Sequence, residues 1–358
     1  MRVVTNDGLN GMPSLRRAFH SPIGGRAESE GVMSYDQRYS STPFTVNPAN
    51  CFDLPFAGIP SFMKARICPS LQELEKGEAD VAILGFPYDL GTSTKSGARM
   101  APRAVREAST VYSDGLRGLY DPVLDEMFLD QGQVVVDCGD VDVSPCGSEQ
   151  SFRNLEGAVR AILDSGAMPI VIGGDHATSI PIFRAMDRYH GLCIVQVDAH
   201  LDWTNSYGEF KESHSSAMRR ASEMPWVSHM IQFGIRGLGS SGPEAFAEAR
   251  EWGSIIVPAP RVHERGIDEA TSLIPKAPYY YITVDIDGLD PSICPGTGSP
   301  QPGGLLYDEV REIIRATCAR GRLVGFDVCE VSPSYDWANQ TSLYAAQLIL
   351  DAICFGTK

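Results

Sequence analysis

C-I-V-Q-V-D-A-H-L-D-W, residues 193–203, is the stretch on which the architecture turns. Its first half is an apolar run broken by one glutamine, which reads as a buried strand. Its second half sets Asp198, His200 and Asp202 on alternate positions. Side chains two apart on an extended backbone point the same way, so the three groups crowd one side. Unpaired, they would repel one another and lose hydration, so something positive belongs among them.

The same design recurs along the chain. Short apolar runs end in Gly, Asp or Pro at 81–87, 134–140, 169–176, 230–236, 254–257, 280–287 and 323–331. Amphipathic stretches lie between several of them. One is F-R-N-L-E-G-A-V-R-A-I-L-D (152–164), with Leu155, Val159, Ile162 and Leu163 on one face. Apolar strands alternating with helices predict an α/β fold with a parallel sheet covered on both faces. No repeat, late linker or low-complexity tract interrupts it, so residues 76–358 read as one domain. Residues 1–75 read as an irregular arm rich in Ser, Pro, Gly and Arg. Within it P-F-A-G-I-P-S-F-M (55–63) is too apolar to stay in water, and at least its second half should pack on the core or a neighbouring subunit.

Composition narrows the function. The formal charge of −15, with no Lys/Arg cluster, argues against a nucleic-acid surface and suits a small cationic substrate. The nine cysteines are odd in number and lack C-x-x-C spacing, so they read as free thiols in a reducing compartment. The N-terminus lacks the apolar core of a secretory signal, and no run is long enough to cross a bilayer. A cytoplasmic protein without a membrane partner is expected.

In an open parallel sheet, ligands bind beyond the carboxyl ends of the strands. His176 follows one such end; Asp198, His200 and Asp202 follow a second; Asp285 and Asp287 close a third; Glu330 closes a fourth. Any one of these pairs alone is more often a helix cap or a turn. Together, two imidazoles and four carboxylates suit Mn, Fe, Ni, Co or Zn better than Ca or Mg. Six ligands exceed what one open catalytic ion takes, which points to two ions bridged by carboxylates, about 3.5 Å apart, activating a shared water. His190, His229, His263 and His20 lack acidic companions at strand ends and read as surface or structural. His214, in E-S-H-S-S after the acidic run, reads as either a solvated loop residue or an acid/base group.

G-G-D-H-A-T-S (173–179), V-D-A-H-L-D (197–202) and T-V-D-I-D-G-L-D-P-S-I-C-P-G-T-G-S-P-Q-P-G-G (283–304) resemble the three signatures of the ureohydrolases, the arginases, agmatinases and their relatives. Residues 85–109 and G-F-D-V-C-E-V-S-P-S-Y-D (325–336) extend the likeness, and D-I-D-G-L-D-P with E-V-S-P resembles the agmatinase branch. The resemblance implies a three-layer α/β/α sandwich, trimeric or hexameric, with a dinuclear manganese site. One ion would be held by His176, Asp198, Asp202 and Asp285, the other by His200, Asp198, Asp285 and Asp287. Glu330 would bind the guanidinium, Asp202 would carry the proton to the leaving nitrogen, and His214 would shuttle it to solvent. The products would be urea, or a substituted urea, and an amine.

The chain departs from that branch where it has Ser215 and Ser216 in place of Gly after the histidine, and Gln301 in place of Glu. Trp203, Tyr207, Tyr335 and Trp337 each read as core alone, yet together they would wall a pocket for a compact or N-alkylated cation. Arg219 and Arg220 are the candidates for reading a substrate carboxylate. Three readings therefore stay open beside agmatine and guanidinobutyrate: a nickel-dependent hydrolase of guanidine or an alkylated biguanide, a weakly active subunit paired with an active paralogue, and a deacetylase-like hydrolase. The last has no account of D-I-D-G-L-D-P.

Overall fold

A computed structural model describes residues 54–358 other than 69, 71–73, 75, 76 and 78. His20 and the arm before residue 54 lie outside the described residues.

The apolar runs form nearly all of one nine-stranded sheet. Its strands are β1 Arg66–Ile67, β2 Val81–Gly85, β5 Val135–Asp140, β6 Met168–Ile172 and β7 Leu192–Val197, then β8 Val227–Ile235, β9 Ile255–Pro258, β10 Tyr279–Asp285 and β11 Arg322–Cys329. They lie in the order β1-β5-β2-β6-β11-β10-β7-β8-β9, every pair parallel. Two short strands, β3 Leu119–Asp121 and β4 Glu126–Phe128, form a separate antiparallel hairpin.

Alternation along the strands splits the core in two. Val81, Ile83, Cys193 and Val195 join a cluster with Val105, Val310 and Ile349 from helices 101–109, 307–318 and 340–356. Ala82, Leu84, Leu192 and Ile194 join the other, with Leu155, Val159, Ile182 and Met218 from helices 148–165, 179–185 and 217–222. The molecule is thus a three-layer α/β/α sandwich around a parallel sheet, as expected of a sheet with two apolar faces. Helix Ser148–Ser165 buries the four residues chosen from its periodicity and stops at Gly166, whose φ of 90° is the left-handed C-terminal turn glycine tolerates.

The second half of 55–63 packs inward. Phe62 and Met63 are fully buried, whereas Phe56 and Ile59 are exposed. Burying two such side chains contributes about 1.5–3 kcal/mol each. The Phe62 N–H donates to Asp137 Oδ2 at 2.7 Å. Asp137 is gripped in turn by Arg106, whose Nε and Nη2 lie 2.8 and 3.0 Å from its two oxygens. Arg106 also reaches Asp140 Oδ1 at 2.5 Å and the Gly139 carbonyl at 2.7 Å. One buried guanidinium therefore ties helix 101–109 to β5 and to the incoming segment.

Candidate metal centre

The strand order places β6, β11, β10 and β7 side by side, so the four chemically unusual strand ends are neighbours. After β6 the chain turns at Gly174, where a Cβ would fall 1.6 Å from the Tyr88 carbonyl oxygen, so a side chain is sterically impossible there. Asp175 then caps a short turn over 176–178, its Oδ1 accepting from the Ala177 N–H at 3.0 Å. After β10, Asp285 Oδ1 accepts from the Asp287 N–H at 2.9 Å, and Asp287 Oδ1 accepts from the Ala199 N–H at 3.1 Å. These bonds lock the β10 and β7 ends together. Asp202 and Glu330 have φ of 52° and 61°, a strained backbone for non-glycine residues that clusters at functional sites.

Two groups of imidazole and carboxylate atoms result. His176, Asp198 and Asp285 form one; Asp198, His200 and Asp287 form the other, so Asp198 belongs to both. His176 Nδ1 lies 3.0 Å from Asp198 Oδ2, 2.8 Å from Asp202 Oδ2 and 3.5 Å from Asp285 Oδ2. His200 Nδ1 lies 3.1 Å from Asp287 Oδ2 and 3.5 Å from Asp198 Oδ1. Five of the six residues chosen as metal ligands fall in these groups, with Asp285 in one of them and not in both; the sixth, Asp202, lies against His176.

The surrounding hydrogen bonds fix how these groups point. His176 Nε2 lies 3.0 Å from Thr283 Oγ1, and Thr283 Oγ1 donates to Asp327 Oδ1 at 2.8 Å. With its proton so committed, Thr283 accepts from Nε2–H, which leaves a lone pair on Nδ1 facing three carboxylates. Asp198 Oδ2 accepts from Gln196 Nε2 at 2.6 Å; Gln196 accepts from Gln232 Nε2 at 2.6 Å, and Gln232 from Ser254 Oγ at 2.7 Å. A lone pair and carboxylates turned toward one point, each oriented by an outer partner, is the arrangement a divalent cation requires. His176 Nδ1 and Asp202 Oδ2 are buried with no hydrogen-bond partner, so the residues fit the ion pair that the resemblance implies.

The electrostatics agree. Burial, then Asp287 and Asp198, pushes the Asp285 carboxyl well above the usual carboxylate range. Burial and the Asp198 charge raise Asp202 to about 6. Burial works against a charged His200, yet Asp287 and Asp198 push it up to about 12. Negative charge at this point is in excess of what the protein itself neutralises.

Glu330 and His214 sit beside these groups. Glu330 Oε1 accepts from the His176 N–H at 3.0 Å and lies 3.3 Å from His214 Nδ1. His214 Nε2 accepts from the Ser93 N–H at 3.2 Å, which places its proton on Nδ1, toward Glu330. His214 is thus a held residue of the site and not a solvated loop residue. Above lies a cavity of about 510 Å³ lined by His200, Asp202, His214, Asp285, Asp287 and Glu330 below, and by Lys95, Tyr207, Ser215 and Gln301 nearer its mouth.

Several expectations about the pocket wall need correction. Trp203 is buried against Trp252 with ring centres 6.2 Å apart, and Trp337 is exposed outside the cavity lining. Arg219 pairs with Glu248 and Arg220 with Glu223, so neither reaches the cavity. Ser216 is buried in a cap with Ser213, which leaves Ser215 facing the cavity. Asp327, Thr283, Gln196 and Asp175 are supporting residues the sequence pattern hid, because each falls inside or beside a run read for its apolar residues. His190, His229 and His263 are exposed, away from the site.

Fold and site together define an α/β/α protein with imidazole and carboxylate groups gathered at the ends of neighbouring parallel strands. The comparisons name the family. The arginase family model matches residues 79–354. The guanidinopropionase of Pseudomonas aeruginosa is 35% identical over 86% of this chain and 95% of its own length. The guanidinobutyrase of the same organism is 34% identical over 84% and 92%. Among solved structures, proclavaminate amidino hydrolase from Streptomyces clavuligerus superposes with a TM-score of 0.72 at 31% identity, covering 85% of this chain and 98% of that one. A hypothetical agmatinase from Burkholderia thailandensis gives 0.74 at 29% identity, covering 89% and 96%. The chain belongs to the arginase family.

Proposed function

We propose that this protein hydrolyses a carbon–nitrogen bond of a guanidino compound, releasing urea or a substituted urea and an amine. The observation that carries the reading is Asp198, whose two oxygens face His176 and His200 in two ligand groups, beneath a cavity whose floor also holds Glu330. His176, Asp198, Asp202 and Asp285 would hold one divalent ion, and His200, Asp198, Asp285 and Asp287 the other. When bound, the pair would lower the pKa of a shared water and offset the crowded carboxylates. The mixed N/O donors suit manganese, with nickel as the alternative.

The chain's own residues supply the rest. A guanidinium carbon is a poor electrophile because its charge is delocalised, so positioning matters. Glu330, its Oε1 already occupied, presents Oε2 to the planar cation as a charge-assisted acceptor. Asp202 takes the proton from the attacking water and delivers it to the leaving nitrogen. His214, tethered between Glu330 and Ser93, passes the further proton that the departing amine takes up from solvent.

Free cysteines throughout the described residues support a reducing, cytoplasmic setting. No helix among the described residues is long and apolar enough to cross a membrane. Exposed Phe56, Ile59 and Val123 support burial at contacts of a trimer or hexamer. Retention of every ligand favours an active enzyme over a weak partner subunit. The cavity exceeds what guanidine alone would fill, which favours a substrate with a tail. Incubating protein loaded with manganese or with nickel against guanidino acids, agmatine, guanidine and dimethylbiguanide, and assaying urea and amine, tests the proposal. Turnover of none of them would refute it.

A further inference from the structure

We infer that Lys95 reads the acidic end of the substrate, so that the compound cleaved is a guanidino acid and not a guanidino amine; this rests on the guanidino-hydrolase reading above. Among the described residues Lys95 is the only lysine or arginine lining the cavity. It has no ion-pair partner there; its Nζ stands over the Tyr335 ring, 5.3 Å from the centre. In a chain of net charge −15, an ammonium group left without a carboxylate beside an acidic cavity floor is available for a ligand.

Its backbone is fixed on both sides. Thr94 Oγ1 bonds Ser299 Oγ at 2.8 Å, and Tyr335 OH donates to the Ser96 carbonyl at 3.0 Å. A Cβ on Gly298 would fall 2.7 Å from the Lys95 carbonyl oxygen, so this approach depends on glycine. Ser93, two residues earlier, holds His214. The loop that anchors the acid/base histidine therefore also sets Lys95 on the wall of the same cavity, with its flexible side chain resting on Tyr335.

Charge then runs in order through the cavity. Glu330 on the floor takes the guanidinium, and Lys95, with the hydroxyls of Thr94 and Ser299 beside it, takes a carboxylate. A guanidino acid carries both charges in that order. An amine tail such as that of agmatine would bring an ammonium group toward Lys95, where like charges repel. The flexible four-carbon stem of lysine lets one residue serve more than one tail length.

The test uses metal-loaded full-length enzyme, wild type, Lys95→Gln and Lys95→Glu, with urea release measured on 3-guanidinopropionate, 4-guanidinobutyrate, agmatine and butylguanidine. The wild type should prefer the two acids. Lys95→Gln should raise KM for the acids by roughly 10- to 100-fold, the worth of a charge-assisted bond, and leave butylguanidine kinetics nearly unchanged. Lys95→Glu should shift preference toward agmatine. An equal loss of kcat on all four compounds, or an unchanged KM for the acids, would overturn the assignment while the hydrolase reading stands. Wild-type turnover of agmatine with no turnover of the acids would do the same. Absence of urea from all four would overturn both.

Discussion

His176 Nδ1 and Asp202 Oδ2 lie 2.8 Å apart, yet both are buried without a hydrogen-bond partner. Two close, unpaired polar atoms cost several kcal/mol in a folded protein unless something joins them. With the proton of a neutral imidazole placed at Thr283 on its far side, the two atoms meet as a lone pair and a carboxylate oxygen, with no proton between them. A cation bound by both atoms would join them.

Thr283 holds His176 by relaying Asp327 to the ring. Thr283→Val keeps the shape and removes the relay. Chelator competition should show metal affinity reduced about 10- to 100-fold, with the fold retained. Unchanged affinity would mean that the ring needs no outer tether.

Metal-free protein should lose stability as pH rises. Folding raises Asp202 to about 6 and His200 to about 12, and raises Asp285 as well. The folded state then binds more protons than the unfolded chain from about pH 4 upward, so unfolding free energy falls with pH across that window. Tm should drop between roughly pH 5 and pH 8 without metal and stay nearly flat with it. Metal loading should also release protons, seen as a heat that depends on the buffer. A metal-free Tm that climbs with pH contradicts this.

Arg106 is a structural counterpart. Arg106→Ala leaves Asp137 buried without its bidentate partner and should cost about 3–5 kcal/mol in denaturant unfolding. Activity per folded molecule should persist, since Arg106 lies outside the cavity lining.

His214→Asn tests the proton path. With His214 held between Ser93 and Glu330, its loss should lower kcat by roughly 10²- to 10⁴-fold while metal content stays at the wild-type level. A variant that loses metal instead would make His214 a ligand support.

Periodicity of two and of 3.6 exposed the strands, the covering helices and the strand-end acids, because burial on both faces leaves no freedom in those patterns. The residues that tune the site left no such trace. Asp327 looks like an interruption in L-V-G-F-D-V-C, yet it accepts from Tyr281 and Thr283 at 2.8 Å each inside the sheet. Gln196, the one polar residue of C-I-V-Q, holds Asp198. Their roles depend on which strands become neighbours, and strand order is not written in local spacing. The same holds for Trp203, read as part of a pocket wall, and for Arg220, read as a candidate carboxylate reader, since packing draws both inward. The hairpin Leu119–Phe128 also went unread, being too short to show alternation.

The most direct measurement is the number of divalent ions per chain, by elemental analysis, in the wild type and in Asp198→Asn. Because Asp198 serves both ligand groups, two ions are expected in the wild type, with both sites weakened together and urea release abolished in the variant. Two ions retained at full affinity in Asp198→Asn, or urea release by wild-type protein stripped of metal, would contradict this.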